Sequence, residues 1–284
     1  MTMFSYNAEL EKMASKAKTG ENFALHIIDW ALENPLLVSN LNSLSIQRST
    51  KNQTAQMYCA DFSKAAAFAT GVAEAQRLKK TMRPVVALVG DTATYDSSPT
   101  EISGAAQRNT PMIYICMNNE TSVTSGNHYS SSTPRFTENR RNQAETEQQQ
   151  KNLISLISKH GVYCATASIG FPMDFADKLK HINKSRKFGF INLLIPDSKA
   201  WGFNKEGTIE ISRLAVETGY WPLYEVDERG QVRLTHKEHY LKDLDEFTMP
   251  QARFAGMSQR QRLLMQDAVN IKYHELLKNE AMGK

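Results

Sequence analysis

Two short hydrophobic runs, each ending in an oxygen-bearing side chain, constrain the fold of this chain most strongly. Residues 85–89 lead into Asp91, and residues 112–117 lead into Asn119. Apolar runs of this length, bounded by turn residues, are typical of buried strands, and the residues between them have the pattern of a helix. The sequence therefore predicts a strand–helix–strand unit with a polar oxygen following each strand.

The same alternation extends over most of the chain. It predicts a doubly wound parallel sheet of the α/β class. After residue 200 the pattern changes to a helix, a hairpin around residues 227–230 and a long final helix. We therefore divide the chain into an α/β domain, residues 1–200, and a C-terminal extension, residues 201–284, that packs on the core or on a partner subunit. The other predicted elements are strands at 36–38, 162–167 and 188–195, helices at 7–18, 23–32, 61–80 (with Asp61 as N-cap), 99 onward, 174–183, 209–217 and 258–277, and a long loop at 40–56.

Composition excludes several functional classes. The net charge is +4 and the basic residues are scattered, which argues against a nucleic-acid partner. No apolar run approaches the roughly 20 residues that a membrane helix needs, and the N-terminus lacks an apolar signal core, so we expect no membrane association and a cytoplasmic protein. The three cysteines, Cys59, Cys116 and Cys164, form no C-x-x-C motif, which suits a reducing compartment.

The carboxyl ends of the two central strands form a candidate metal site. Open α/β sheets bind ligands at that edge, and Asn119 follows Asp91 by 28 positions. A carboxylate from Asp91, an amide oxygen from Asn119 and the backbone carbonyl of Thr121 are the ligands that hold Mg²⁺ on a diphosphate. Alternatively, Asp91 caps the turn that follows it and the asparagines form an ordinary turn.

A loop rich in small polar residues follows the second strand. Backbone N–H groups of Ser125, Gly126 and their neighbours would cradle the diphosphate, because small residues allow a close approach. The alternative is a surface loop without a ligand.

These features resemble the signature of thiamine-diphosphate enzymes, in which Gly-Asp-Gly is followed, a few tens of residues later, by an asparagine pair. Residues 124–134 are similar to the Thr-Gly-Gly-Gln-x-Ser…Thr-Pro stretch of one branch, the β subunits of pyruvate:ferredoxin and related 2-oxoacid:ferredoxin oxidoreductases. Residues 63–72, Trp201-Gly202 and residues 214–224 resemble further signatures of that branch. The resemblance, from about residue 19 onward, implies thiamine diphosphate with Mg²⁺, an α-subunit partner, a 2-oxoacid such as pyruvate and coenzyme A as substrates.

The resemblance also implies roles for residues beside the ligands. Gly90, Thr92 and Asp96 join the cofactor-binding set, although the family usually has glycine where Thr92 stands, and a β-branched side chain crowds the phosphates. Asp96 either orients a loop residue or caps a turn. His128 replaces a glutamine and is either a proton-transfer group or an exposed loop residue. Lys64 replaces an arginine and either reaches an anionic group or lies on a solvated helix face.

One family feature is missing from this chain. Related β subunits hold a [4Fe–4S] cluster through cysteines in three regions, but residues 19–23, 39–43 and 195–198 contain no cysteine here. Asparagine, serine and aspartate do not replace thiolates in such clusters, so we predict that this chain has none. Electrons then need another acceptor, or the reaction is not an oxidation. The catalytic glutamate of the family normally comes from the α chain, so we expect this chain to be inactive alone.

Three functional hypotheses follow. The first is the thiamine-diphosphate-binding β subunit of a 2-oxoacid oxidoreductase. The second is a subunit of a non-redox lyase or acyl transferase that uses the same coenzyme. The third is a structural subunit with a decayed site.

Overall fold

The computed structural model of the chain describes residues 13, 17, 19–40, 56–81, 83–123, 126–138 and 149–283. These residues contain an eight-stranded sheet with the order β2-β1-β3-β4-β6-β5-β7-β8. The first six strands are parallel and the last two are antiparallel, which confirms the predicted α/β sheet. The strands are β1 (Leu36–Ser39), β2 (Gln56–Cys59), β3 (Val85–Gly90), β4 (Ile113–Asn118), β5 (Tyr163–Ser168), β6 (Gly189–Leu194), β7 (Tyr224–Val226) and β8 (Val232–Leu234).

Helices cover both faces of the sheet. One face packs against α1 (Gly20–Ala31) and α5 (Pro172–Ser185), and the other against α2 (Ala65–Leu78), α3 (Pro99–Gln107) and α4 (Leu153–Ser158). Alternate residues of β3 enter the two different cores, with Val85, Ala87 and Val89 on one side and Val86 and Leu88 on the other. A strand buried on both faces reads as a continuous apolar run, which is why the sequence predicted it.

Helix starts differ in part from the sequence prediction. The prediction that Asp61 is the N-cap of the helix at 61–80 is wrong. Helix α2 begins at Ala65, after a turn in which the Lys64 N–H donates to the Asp61 carbonyl at 3.0 Å. The predicted start of α3 at Pro99 is confirmed, and the fixed φ of proline suits the first helical position. The Ser98 hydroxyl does not cap this helix but donates to the Ser63 carbonyl at 3.2 Å.

Residues after 200 extend the sheet and add a third core. The predicted hairpin is confirmed. Its strand β7 pairs with β5, so the sheet continues past residue 200. The division of the chain into two parts at residue 200 stays a prediction. The third core contains Trp201, Tyr220 and Phe247 and lies beside the carboxyl end of β6. The helices that contribute to this core are α6 (Thr208–Glu217), α7 (Gln259–Met282) and short turns at Ser198–Trp201, Leu244–Thr248 and Ala252–Phe254, and a further short turn lies at Lys205–Gly207.

The final helix shows how local sequence sets an element. A capping box starts α7, since the Ser258 hydroxyl accepts from the Gln261 N–H and the Gln261 side chain accepts from the Ser258 N–H. Among the helices in the described ranges, this one included, none is long and apolar enough to cross a membrane.

Candidate functional site

The predicted metal ligands follow two strands that are neighbours in the sheet. Strands β3 and β4 pair in parallel with Gly90 opposite Met117, so the residues after them emerge at the same edge. Burial raises the pKa of Asp91, and the backbone N–H of Thr121 lies near enough to the carboxylate to offset a small part of that rise. The structure thus brings Asp91 and the turn 119–121 together, whereas their binding of a metal stays a prediction.

Asp91 is a buried carboxylate with two close hydrogen-bond donors, 3% exposed. Its Oδ1 accepts from the Thr92 N–H at 2.8 Å and its Oδ2 from the Ser132 hydroxyl at 2.5 Å. Burial raises the pKa of Asp91 to about 7, and these hydrogen bonds offset only part of that rise. Within the described ranges, Asp91 belongs to no ion pair.

A carboxylate without a counter-charge in a buried place suits a cation. Transfer of a charge out of water is costly unless an opposite charge or a metal compensates it. In the part of the chain that the structure covers, no three His, Cys, Asp or Glu side chains converge on a metal position. The proposed donor set of one carboxylate, one amide oxygen and one backbone carbonyl fits Mg²⁺, which binds through one or two carboxylates and completes its shell with phosphate oxygens and water.

A pH dependence of stability follows from Asp91 in the metal-free protein. Its pKa rises from 3.8 in the unfolded chain to about 7 in the folded one, so folding favours the protonated form. The associated stability is present at low pH and is lost between about pH 4 and pH 7, by up to roughly 1.4 kcal/mol per pH unit. We expect the unfolding temperature of metal-free Asp91→Asn to increase relative to that of wild type as the pH rises from 5 to 8. A constant difference would show that Asp91 is ionised throughout.

The turn after β4 is held by a network of side-chain amides. The Asn118 Oδ1 accepts from the Glu120 N–H at 2.9 Å, and its Nδ2 donates to the Asn192 Oδ1 at 3.2 Å. The Asn119 Oδ1 accepts from the Thr121 N–H at 3.2 Å. The alternative of an asparagine turn is therefore realised. It remains compatible with metal binding, because an amide oxygen has two lone pairs.

Glu120, between the two predicted ligands, is fully buried and has a positive φ of 57°. Its Oε1 accepts from the Tyr220 hydroxyl at 2.6 Å and from the Gln150 amide at 3.2 Å. Its Oε2 lies 2.9 Å from the Nη1 of Arg253, which is 6% exposed. The guanidinium of Arg253 stacks 3.4 Å from the centroid of the Trp201 ring.

The loop that was predicted to cradle a diphosphate is described in part. Ser125 lies outside the described residues. Gly126 has φ 88°, a conformation that favours glycine, and its N–H donates to the Val123 carbonyl at 3.1 Å. The Ser122 N–H donates to the His128 carbonyl at 3.0 Å, so the loop closes on itself, and the His128 side chain is exposed. The cradle and a role for His128 in proton transfer stay predictions.

The residues at the carboxyl end of β3 form hydrogen bonds with their neighbours, and the backbone of Thr92 is unstrained. The Gly90 carbonyl accepts from the Thr94 hydroxyl at 2.8 Å. Thr92 has φ −56° and ψ −46°, which are helical values that a β-branched residue adopts without strain. The Asp96 carboxylate accepts from the Ser131 N–H and hydroxyl, and lies 3.2 Å from the Lys151 ammonium. These contacts match the alternative in which Asp96 orients a loop residue, and cofactor binding by Asp96 stays a prediction.

Lys64 lies at the surface. Its side chain is 60% exposed and its ammonium is 2.5 Å from the Glu101 carboxylate. An anion would have to displace Glu101 to reach Lys64, so the geometry matches the alternative of a solvated helix face.

Several site residues carry no local sequence signal. Ser132 belongs to the small polar loop, but nothing in its surroundings marks it as the donor to Asp91. Asn192, Tyr220 and Arg253 reach the turn from distant parts of the chain, and only folding brings them there.

Comparison with known proteins identifies the class and then the family. Residues 40–193 match the family described as "Thiamine pyrophosphate enzyme, C-terminal TPP binding domain". The parallel sheet, the polar strand tips and this match define a thiamine-diphosphate-binding protein. The pyruvate synthase subunit PorB of Methanothermobacter thermautotrophicus is 33% identical over 270 residues, which are 92% of each chain. The chain belongs to the family of β subunits of 2-oxoacid:ferredoxin oxidoreductases.

A further relative agrees with this membership, and a solved structure shares the fold. The ketoisovalerate oxidoreductase subunit VorB of Pyrococcus furiosus is 34% identical over 202 residues, covering 68% of this chain and 65% of that one. The structure of a 2-oxoglutarate:ferredoxin oxidoreductase from Magnetococcus marinus superposes with a TM-score of 0.53 at 20% identity, covering 62% of this chain and 58% of that one. This last similarity shows a shared fold. The predicted family, its fold and its class of oxidoreductase subunits are thereby confirmed.

Proposed function

We propose that this chain holds Mg²⁺ and thiamine diphosphate in a heteromeric enzyme that oxidatively decarboxylates pyruvate or a related 2-oxoacid to an acyl-coenzyme A. The observation that carries the proposal is the buried Asp91 carboxylate, which has no ionic partner in the described residues and faces the turn 119–121. When bound, the coenzyme supplies the chemistry for breaking the bond between the oxo carbon and the carboxylate. An α subunit is the proposed partner.

The residues of this chain bind and orient. The Asp91 carboxylate, the Asn119 amide oxygen and the Thr121 carbonyl would hold the metal, and N–H groups near Ser125 and Gly126 would face the diphosphate. His128, whose side chain is exposed, is proposed as a proton-transfer group on the substrate side.

We also propose that this subunit carries no iron–sulfur cluster. Two positions of the family's cluster regions now hold helix caps, since Thr19 accepts from the Asn22 N–H at 3.2 Å and Asp197 accepts from the N–H groups of Lys199 and Ala200 at 2.9 and 2.8 Å. All three cysteines are free, with Cys116 and Cys164 buried in β4 and β5, which β6 separates. The two electrons of the oxidation would leave through a carrier on another subunit. Free thiols also agree with a cytoplasmic complex.

A dye assay on the purified complex tests the oxidation. With pyruvate and coenzyme A under anaerobic conditions, we expect a viologen dye to be reduced as CO₂ and acyl-coenzyme A form. The missing cysteines favour one rival, a non-redox lyase or acyl transferase. An aldehyde or a condensation product without dye reduction would establish that rival. If calorimetry in the presence of Mg²⁺ shows that the wild-type complex binds no thiamine diphosphate, only the third hypothesis remains, that of a structural subunit with a decayed site.

A further inference from the structure

Three side chains from the C-terminal part of the chain contact the turn that carries two of the proposed metal ligands. The Trp201 indole N–H donates to the Asn119 carbonyl at 2.7 Å. Arg253 pairs with Glu120 at 2.9 Å, and the Tyr220 hydroxyl donates to the same carboxylate at 2.6 Å. All of these side chains are more than nine-tenths buried.

The three contacts belong to one packed unit. The Arg253 guanidinium lies over the Trp201 ring, 3.4 Å from its centroid, and the Phe247 ring lies edge-on to Trp201, with 6.2 Å between the ring centroids. Phe247 also packs against Tyr220, with 4.6 Å between the centroids. Because these groups are locked by one another, they offer the turn a fixed set of partners.

The turn needs such partners because its backbone is strained. Glu120 has φ 57°, a left-handed backbone conformation that a non-glycine residue keeps only where its surroundings hold it there. Fixing the Asn119 carbonyl sets the peptide plane between residues 119 and 120. That plane, together with the backbone dihedrals of Glu120 and Thr121, determines where the Thr121 N–H and carbonyl point.

We propose that Trp201, supported by Arg253 and Tyr220, is a positioning residue for Mg²⁺. It fixes the Asn119 carbonyl, so that the ligand groups of residues 119 and 121 face Asp91 before the metal arrives. This inference rests on the proposed function, because it assigns the turn 119–121 to metal binding. It adds that residues beyond position 200 determine the affinity of a site built on the first 200.

The chain offers a matched pair of tryptophans for the test. Trp221 is also buried, and its indole N–H donates to a strand-end carbonyl, that of Ala167, at 2.9 Å. Replacing either residue with phenylalanine removes one such hydrogen bond and keeps an aromatic ring. A merely structural role would therefore affect both variants alike.

The measurement is the Mg²⁺ dissociation constant of the assembled complex at saturating thiamine diphosphate, by titration calorimetry, together with its unfolding temperature. We expect Trp201→Phe to raise the constant about 5- to 10-fold and Trp221→Phe to change it less than about twofold, with similar losses in unfolding temperature. Equal constants for the two variants would overturn the inference and leave the proposed function intact. A wild-type complex without Mg²⁺-dependent binding would overturn both.

A second variant covers the case in which Trp201→Phe does not assemble. Tyr220→Phe removes only the hydroxyl that donates to Glu120 and keeps the ring against Phe247. We expect it to raise the Mg²⁺ constant about 2- to 5-fold. No rise would overturn the inference.

Discussion

Replacing Asp91 with asparagine is expected to abolish Mg²⁺-dependent binding of thiamine diphosphate while the subunit stays folded. The change removes the charge of the one carboxylate among the three proposed ligands and keeps the shape of the side chain. Since outer-shell partners alone are worth 10- to 100-fold in metal affinity, we expect a loss of more than about 100-fold. Calorimetry on the assembled complex, with Mg²⁺ and thiamine diphosphate, measures it.

An aspartate at the same edge of the sheet provides the control. Asp197 follows β6 and caps the helical turn Ser198–Trp201 through its Oδ1. Asparagine is an equally good N-cap, so Asp197→Asn should change neither folding nor cofactor affinity. An Asp91→Asn complex that binds Mg²⁺ as tightly as wild type would disprove the ligand assignment, and with it the main support for the proposed function.

The central strands and the polar residues after them were predictable because the signal is local. A parallel strand covered on both faces must be apolar at every position, so β3 and β4 stand out, and the residue that ends each run lies at the sheet edge. β2 was missed for the opposite reason. It is an edge strand with partly exposed side chains, Gln56 to Cys59, and lacks an apolar alternation, so the sequence predicts no strand there and places Gln56 in the loop 40–56.

The contacts that hold the site in place could not be predicted from sequence. Glu120 and Arg253 are far apart in the chain, and each would be expected on the surface if judged by residue type alone. Their pairing depends on how residues after 200 pack against the sheet, which no local pattern encodes. The asparagine turn shows a related limit, because the same amide oxygen both forms a turn and remains available to a metal.

Replacing Arg253 with methionine is expected to destabilise the protein by about 3–5 kcal/mol, because the change leaves the Glu120 carboxylate buried without a counter-charge. For a domain larger than about 150 residues this corresponds to a fall in unfolding temperature on the order of 10 °C. The unfolding temperatures of the variant and wild-type complexes measure it. The backbone contact between the Glu138 N–H and the Arg253 carbonyl is unaffected by the substitution.

The matched control for Arg253→Met is a surface ion pair whose charged atoms lie closer together than those of the buried pair. Arg233 lies 2.6 Å from the Glu225 carboxylate, closer than the 2.9 Å of the buried pair, but its side chain is 66% exposed. Exposed pairs contribute at most about 1 kcal/mol, so Arg233→Met should have a small effect. If both variants lose the same stability, distance rather than burial determines the contribution, and the prediction is wrong.

A double variant separates charge from packing. In Glu120→Gln combined with Arg253→Met, residue 120 is neutral and can still accept from the Tyr220 hydroxyl. We expect most of the lost stability to return, since the cost of the single variant is that of an isolated buried charge. The same charge also raises the pKa of Asp91. Arg253 therefore neutralises Glu120 beside the proposed metal ligand. If the double variant is no more stable than Arg253→Met, the guanidinium acts through its packing on Trp201 instead.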